Sequence, residues 1–181
     1  MQTVLFSKDF FLRQPVIEDY AAFVAWATGA VDCYSLWLEL PVSPEAFQAY
    51  IHDCTTDSVR GFLIYDKHSN AIQGMVHLNN VYNGNFQNAF LGYCFKTTET
   101  SESTMGIVIR LVTHYALTKL KLHRLEVSVQ LQHTKLMRAL RTSDYRSEGV
   151  SPRLLKVGGR WRDHERFAVT AEEWSGVASY V

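Results

Sequence analysis

Hydrophobic and polar residues alternate along this chain with two periods, and each period predicts one kind of element. Apolar residues recur three and four positions apart in several segments, which is the spacing of one helix face. Between these segments, short runs rich in Val, Ile, Leu, Phe and Tyr are typical of strands. The predicted strands are Val4–Arg13, Gly61–Tyr65, Ala71–Tyr82, Asn85–Phe95, His123–Gln130, Ser151–Val157 and Arg160–Val169, and the predicted helices begin near Val16, Pro44, Met105 and Thr134.

Turn residues separate these elements. Ser43 before Pro44 is an N-cap followed by proline at the first helical position. Asn83-Gly84 predicts a two-residue hairpin and Gly158-Gly159 a glycine turn, because these residues tolerate positive φ. The order β-α-α-β-β-β-α-β-α-β-β predicts a mixed α/β sheet with helices on its faces. The 181 residues suit one domain, 1–181.

Composition and charge narrow the function classes. Hydrophobic residues make up 47% of the chain, and 18 basic residues balance 18 acidic ones. This balance gives no electrostatic basis for stable nucleic-acid or membrane binding. The first residues lack the pattern of a signal peptide, and no stretch reaches the ~18 apolar residues of a membrane span. We therefore expect a cytoplasmic protein without a metal, in which Cys33, Cys54 and Cys94 are buried reduced thiols.

Several short blocks in a fixed order carry a family resemblance. Leu91-Gly92-Tyr93 precedes a polar loop, a helix and then Leu122-His123-Arg124-Leu125-Glu126. Arg146-Ser147-Glu148-Gly149 and Gly159-Arg160-Trp161-Arg162-Asp163-His164 follow, and Leu12-Arg13 with Glu18-Asp19 stand near the start. Together these blocks resemble the RimJ/RimL-like ribosomal-protein N-terminal acetyltransferases of the GNAT superfamily over nearly the whole chain.

This resemblance implies a GNAT fold, with a mostly antiparallel twisted sheet and a central cleft between splayed strands. The cleft strands here are Asn88–Phe95 and His123–Gln130, and acetyl-CoA is the implied acyl donor. Its pyrophosphate sits at the N-terminus of the next helix, where free N–H groups favour anions. A primary amine, on a protein N-terminus or a small metabolite, attacks the thioester directly. The implied donor-binding residues are Gly92, Tyr93, Cys94, Phe95, Ser101, Glu102, Ser103, Thr104, Met105, Gly106, His133 and Arg138.

The phosphate loop departs from the family pattern. Ser101 and Ser103 stand where the family has small glycine-type residues, and Glu102 stands between them. One interpretation is a reshaped loop that still binds phosphate through N–H groups and hydroxyls. The other is a solvated helix start with Ser103 as N-cap. The carboxylate of Glu102 would repel a pyrophosphate unless it turns to solvent.

Candidate groups for proton transfer lie in three places. In the last helix His133 and Leu136 replace a family asparagine and serine, so the leaving thiolate lacks the usual hydroxyl donor. His133 is a candidate acid or base, or only a helix-start residue. His77 and the phenol of Tyr145 are the other catalytic candidates, and packing roles are the alternatives. Arg162 and His164 share one strand face, which lines the acceptor groove or is structural.

Two rival functions stay open. The same fold with an acyl carrier protein or aminoacyl-tRNA as donor would need less of a glycine-rich phosphate loop. A catalytically silent GNAT fold would serve as a binding module. The resemblance leaves the acceptor and the acyl length undetermined, and a homodimer is compatible with it. Trp26, Tyr34 and Trp37 fall where the family's first helices cover the acceptor, or they belong to the core.

Overall fold

The protein consists of one sheet with helices on both faces. The structure is a computed structural model, and it describes residues 4–28, 40–96 and 99–176. The strands are β1 (Val4–Phe6), β2 (Phe10–Arg13), β3 (Arg60–Asp66), β4 (Ile72–Tyr82), β5 (Asn88–Phe95), β6 (Arg124–Gln130), β7 (Arg146–Val157) and β8 (Arg160–Thr170), and the helices are α1 (Tyr20–Thr28), α2 (Pro44–Asp53), α3 (Glu102–Thr118) and α4 (Thr134–Arg141). The strand order in the eight-stranded sheet is β1-β2-β3-β4-β5-β6-β8-β7. Every neighbouring pair is antiparallel except β5 and β6. The predicted fold class is confirmed.

The two faces of the sheet carry separate hydrophobic clusters. Helices α3 and α4 cover one face, which we call the α3 face, where alternate residues of β5 and β6 are buried. Helices α1 and α2 cover the other, the α1 face, where Phe23, Phe47 and Tyr50 pack with Met75 of β4. Because side chains alternate along a strand, each cleft strand contributes to both faces. The α3-face residues of β5 and β6 are Ala89, Leu91, Tyr93, Phe95, Leu125, Val127 and Val129.

The first predicted strand is wrong in one respect, because residues 4–13 form a hairpin of β1 and β2. Ser7 closes the turn: the Phe10 N–H donates to Ser7 Oγ at 3.0 Å, and the Ser7 N–H donates to the Phe10 carbonyl at 2.9 Å. The polar run Ser7-Lys8-Asp9 interrupts an otherwise apolar stretch. A side-chain turn of this kind is what serine and aspartate favour.

The turn between β4 and β5 is also longer than the two residues expected. Gly84 has a φ of 73° and Gln87 a φ of 41°, and β5 begins only at Asn88. The Gln87 carbonyl accepts N–H bonds from His123 at 2.8 Å and Arg124 at 3.1 Å. The start of β6 therefore holds Gln87 at the end of this loop, and the loop is longer than a two-residue turn.

Helix α3 and strand β7 begin earlier than predicted. Ser101, not Ser103, is the N-cap of α3, since its Oγ accepts the Thr104 N–H at 3.1 Å. Strand β7 starts at Arg146 and passes two irregularities, with Gly149 at a φ of 95° and Arg153 at 49°. Helix α4 and the Gly158-Gly159 turn match their predictions.

The cysteine expectation holds for one residue and fails for another. Cys54 is a free buried thiol, and burial raises its pKa to about 12. Cys94 is disulfide-bonded, so the prediction of reduced thiols is wrong there. Cys33 lies outside the described residues. Among the helices described, none is long and apolar enough to cross a membrane.

Candidate active site

Strands β5 and β6 are paired over only three positions and then separate. The partners are Asn88 with Arg124, Ala89 with Leu125, and Phe90 with Glu126. Beyond this point β5 pairs only with β4 and β6 only with β8 among the described residues. One backbone edge of β5, from Leu91 to Phe95, therefore faces an opening in the sheet. The predicted splay between these two strands is present.

A cavity of about 220 Å³ opens on the α3 face of this splay. Tyr93 and Phe95 line it from β5, and Met105 lines it from the first turns of α3. The N-terminal part of α4 forms the other wall, so we call it the α4 cavity. Its remaining lining residues are Gln132, His133, Thr134, Lys135 and Leu136. Of the predicted donor-binding residues, Tyr93, Phe95, Met105 and His133 meet here.

The N-terminus of α3 carries a cluster of hydroxyl groups. Ser101 Oγ lies 2.9 Å from both Ser103 Oγ and Thr104 Oγ1. Thr104 also donates its N–H to Ser101, and Met105 donates its N–H to the Ser101 carbonyl at 3.1 Å. The first N–H groups of a helix lack intrahelical acceptors and favour an anion. This helix start is a polar, solvent-accessible end with the chemistry of a phosphate site.

Glu102 and Arg138, both predicted at the donor site, form an ion pair. Arg138 Nε donates to Glu102 Oε2 at 2.7 Å and joins α3 to α4. The side chains are 38% and 54% exposed, respectively, so water screens the pair. The negative charge of Glu102 is thus offset locally by a cation from the neighbouring helix.

A second cavity on this side, of about 420 Å³, lies where α3 passes the end of α4. Glu102, Ser103 and Gly106 line it, together with Arg110. A Cβ added at Gly106 would meet only Ser143 Oγ, at 3.9 Å. The remaining lining residues are Ile107, Thr142 and Ser143. This α3 cavity continues the polar surface that starts at the α3 N-cap.

The three catalytic candidates do not lie together. His133 is the N-cap of α4 and lines the α4 cavity. Tyr145 follows α4 and is buried, with its hydroxyl 2.8 Å from Thr113 Oγ1 of α3. Burial raises the pKa of Tyr145. His77 lies on the other face of the sheet. Only His133 lines a cavity at the splay, while the roles of all three stay predictions.

His77 is fully buried between β4 and α2. Its Nε2 lies 3.0 Å from the Tyr50 hydroxyl, and the two rings meet edge to face. Burial lowers the pKa of His77 to about 4, so the imidazole is neutral at physiological pH. Trp26 is also buried on this side, and Tyr34 and Trp37 lie outside the described residues.

A cavity of about 290 Å³ lies on the opposite face of the same splay. Phe90, Glu126 and Ser128 point here, because their neighbours Ala89, Leu125 and Val127 face α3. Strand β7 closes the outer wall, so we call it the β7 cavity. Its other lining residues are Asn80, Leu91, Leu154, Leu155 and Arg166. The opening between β5 and β6 therefore has a cavity on each side.

Glu126 is the acidic group of the β7 cavity, and its carboxylate is held from three sides. Asn88 Nδ2 donates to Oε1 at 3.1 Å, and Arg124 Nε donates to the same oxygen at 3.0 Å. Arg166 pairs with Oε2. Sequence reasoning placed Glu126 in a family block without chemistry. The alternation Leu-Glu-Val-Ser-Val was the available signal, since it turns Glu126 and Ser128 away from the core.

A mixed sheet that splays at one parallel pair, with a helix N-terminus beside the opening, is the architecture that the sequence resemblance implied. Residues 9–146 match the acetyltransferase (GNAT) domain model. The chain belongs to this family.

Individual relatives agree with this assignment. The chain is 32% identical over 108 residues to the probable N-acetyltransferase YjcK of Bacillus subtilis, and the match spans 60% of each protein. Mycobacterium smegmatis RimJ, solved in complex with CoA-disulfide, has a TM-score of 0.79 at 22% identity, over 95% of this chain and 88% of that one. The ribosomal-protein-S5-alanine acetyltransferase of Vibrio fischeri has a TM-score of 0.82 at 15% identity, over 96% and 99%. These two structures share the fold.

Proposed function

We propose that this protein transfers an acetyl or similar short acyl group from a coenzyme A thioester to a primary amine. The observation that supports this most is the pair of cavities on the two faces of one splay. Donor and acceptor then enter from opposite sides and meet where β5 and β6 separate. Holding two reactants in line is the main source of rate in a direct transfer.

The α3 face fits the donor. The open edge of β5 from Leu91 to Phe95 offers backbone groups that an extended pantetheine arm pairs with, as an added strand would. The start of α3 offers N–H groups and hydroxyls for the pyrophosphate. Arg138 offsets the charge of Glu102 beside it. The related fold of Mycobacterium smegmatis RimJ was solved with CoA-disulfide, which supports a donor of this class.

The two proton transfers of the reaction, one to the leaving sulfur and one from the amine, take place on opposite faces of the splay. The thioester supplies an activated acyl group and a thiolate leaving group. His133 lines the donor side, and we assign it to give a proton to the departing sulfur, in place of a hydroxyl that Leu136 cannot provide. The amine loses its proton to water in the β7 cavity, because the neutral His77 lies out of reach beneath α2.

The acceptor enters the β7 cavity in this proposal. Glu126 places a carboxylate there whose charge Arg124 and Arg166 offset, so it serves as a hydrogen-bond acceptor for the amine. One solved relative by fold is named for the alanine of ribosomal protein S5, which supports a protein N-terminus as acceptor. A small amine is the alternative acceptor of the same chemical class.

Transfer is tested by measuring coenzyme A release from acetyl-CoA with a thiol reagent, in the presence of peptides and small amines. We expect His133→Ala to lower kcat at least tenfold, on the order of the smaller general-acid effects. His68→Ala, an exposed histidine in the β3–β4 turn, is the matched control and should keep full turnover. The proposal would be excluded if no amine gave coenzyme A release and acetyl-CoA did not bind at millimolar concentration.

A further inference from the structure

In the part of the chain that the structure describes, the arginines without an ion-pair partner all lie in the β7–β8 hairpin. Among the described residues, every arginine outside this hairpin has a carboxylate oxygen within 4.0 Å. Arg153, Arg160 and Arg162 have none and are exposed. Lys156 adds a fourth cation, while the one acidic residue between Val150 and Asp163 is Asp163 itself. Its carboxylate accepts the backbone N–H of Arg153 at 2.7 Å.

These cations adjoin the β7 cavity. Arg162 is the register partner of Leu155, which lines that cavity, and partners across a strand pair project on the same side. Arg166 also lines the cavity, and Arg162 and Arg160 follow on the same face of β8. At about 3.3 Å per residue, Arg162 lies roughly 13 Å and Arg160 roughly 20 Å beyond Arg166. An exposed row of positive charge thus leads outward from the acceptor side of the splay.

The geometry points to an acceptor that is a polypeptide with acidic side chains soon after its reactive amine, and this inference rests on the proposed function. The Glu126 carboxylate accepts a hydrogen bond from the amine in the cavity, while Arg162 and Arg160 attract carboxylates farther along. Their spacing of two residues on one strand equals the spacing of alternate side chains in an extended peptide. A row only one strand wide thus matches a single extended chain.

An acidic peptide fits these charges better than RNA does. The whole chain has a formal net charge of zero, so it has no long-range attraction for a polyanion. Local charge complementarity at the rim of a site gives selectivity between acceptors rather than large affinity.

The test compares two peptides, Ser-Ala-Glu-Glu-Glu-Glu and Ser-Ala-Gln-Gln-Gln-Gln, each with a C-terminal fluorophore. We expect the acidic peptide to bind and react about tenfold better at low salt, by anisotropy and by kcat/KM. Arg162→Gln and Arg160→Gln should each reduce this preference about three-fold, mainly through KM. Lys8→Gln removes a similar exposed charge at the opposite end of the sheet and should preserve the preference.

Equal binding of the two peptides, or an equal loss of preference in Lys8→Gln, would overturn the inference and leave acyl transfer intact. Preferential binding of the acidic peptide without transfer would instead count against the proposed function alone. A ten-nucleotide oligouridylate that displaces the acidic peptide at equal concentration would mark the row as a nucleic-acid surface and overturn the inference.

Discussion

The ion pair between Glu102 and Arg138 changes how the altered phosphate loop is understood. Sequence alone shows a carboxylate between the two positions where the family has small glycine-type residues, and repulsion of phosphate follows from that. The structure adds a guanidinium whose Nε holds this carboxylate at 2.7 Å. Arginine has further N–H donors beyond Nε, so one side chain can hold Glu102 and still face an anion. Whether the loop binds phosphate therefore depends on the balance between the charges of Glu102 and Arg138.

Replacing Glu102 with glutamine should tighten coenzyme A binding about three- to ten-fold, because it removes a negative charge and releases Arg138 toward the phosphates. Arg138→Gln should weaken binding by a similar factor. Calorimetry at low salt measures both changes, and a double-mutant cycle measures their coupling. Glu99→Gln removes an exposed charge just before the helix and serves as control. Dissociation constants that stay within twofold in all three variants would show that the phosphates lie elsewhere.

The burial of His77 predicts a loss of stability at mildly acidic pH. Its folded pKa of about 4 lies below the ordinary histidine pKa of 6.5, so the unfolded chain binds the extra proton first. Stability from this residue is complete above pH 6.5 and is lost as the pH falls toward 4. Between pH 7.5 and 5.0 the loss should be about 2 kcal/mol. The lowered pKa of His164, also caused by burial, adds in the same direction.

Urea unfolding of the wild type and His77→Phe at these two pH values checks this. The variant keeps a ring of similar size and cannot titrate, so its stability should fall less than that of the wild type. Identical pH dependence in both proteins would mean that His77 does not set the acid sensitivity.

At the scale of elements, local patterns predicted most of the helices and strands, and long-range contacts decided the rest. Helix α4 begins at the predicted residue, Thr134, because its apolar spacing and polar flanks are local signals. The loop before β5 differs because the carbonyl of Gln87 is bound by residues 36 and 37 positions later, 123 and 124. No turn preference of Asn83-Gly84 contains that information. The start of α3 differs because three hydroxyl residues compete for the cap, and only the folded geometry selects Ser101.

The cap at Ser101 gives a direct test of this element. Ser101→Ala removes the acceptor for the Thr104 N–H and should cost about 1 kcal/mol. For a chain of this size that corresponds to a Tm about 2–4 °C lower. Ser103→Ala removes a neighbouring hydroxyl that does not cap the helix, and it should stay within about 0.5 kcal/mol of wild type. A larger effect at Ser103 than at Ser101 in thermal unfolding would place the helix start two residues later.

At the scale of the whole molecule, the order of the strands explains why the β7 cavity could not be predicted from the sequence. The proposed donor side is built from β5, α3 and α4, which the resemblance brings together block by block. The β7 cavity needs the sheet order β6-β8-β7, because Leu154 and Leu155 approach Glu126 only when β8 lies between their strands. Alternation shows that Glu126 leaves the core, but nothing local shows which strand faces it.

The same architecture predicts which part of the donor is recognised. If α3 binds the pyrophosphate and β5 binds the pantetheine arm, 3′,5′-ADP and acetyl-pantetheine should each stabilise the protein. Acetyl-CoA should stabilise the protein more than either fragment does. At a hundredfold excess over its dissociation constant, a ligand adds about 2.7 kcal/mol, which raises the Tm by roughly 5–11 °C here. Thermal shift with the three ligands and with adenosine as control measures this. Stabilisation by acetyl-pantetheine without any by 3′,5′-ADP would favour a carrier-protein donor, since such a carrier presents the arm without the nucleotide. No shift with any of the three would favour a GNAT fold without catalysis, because the splay would then lack a donor.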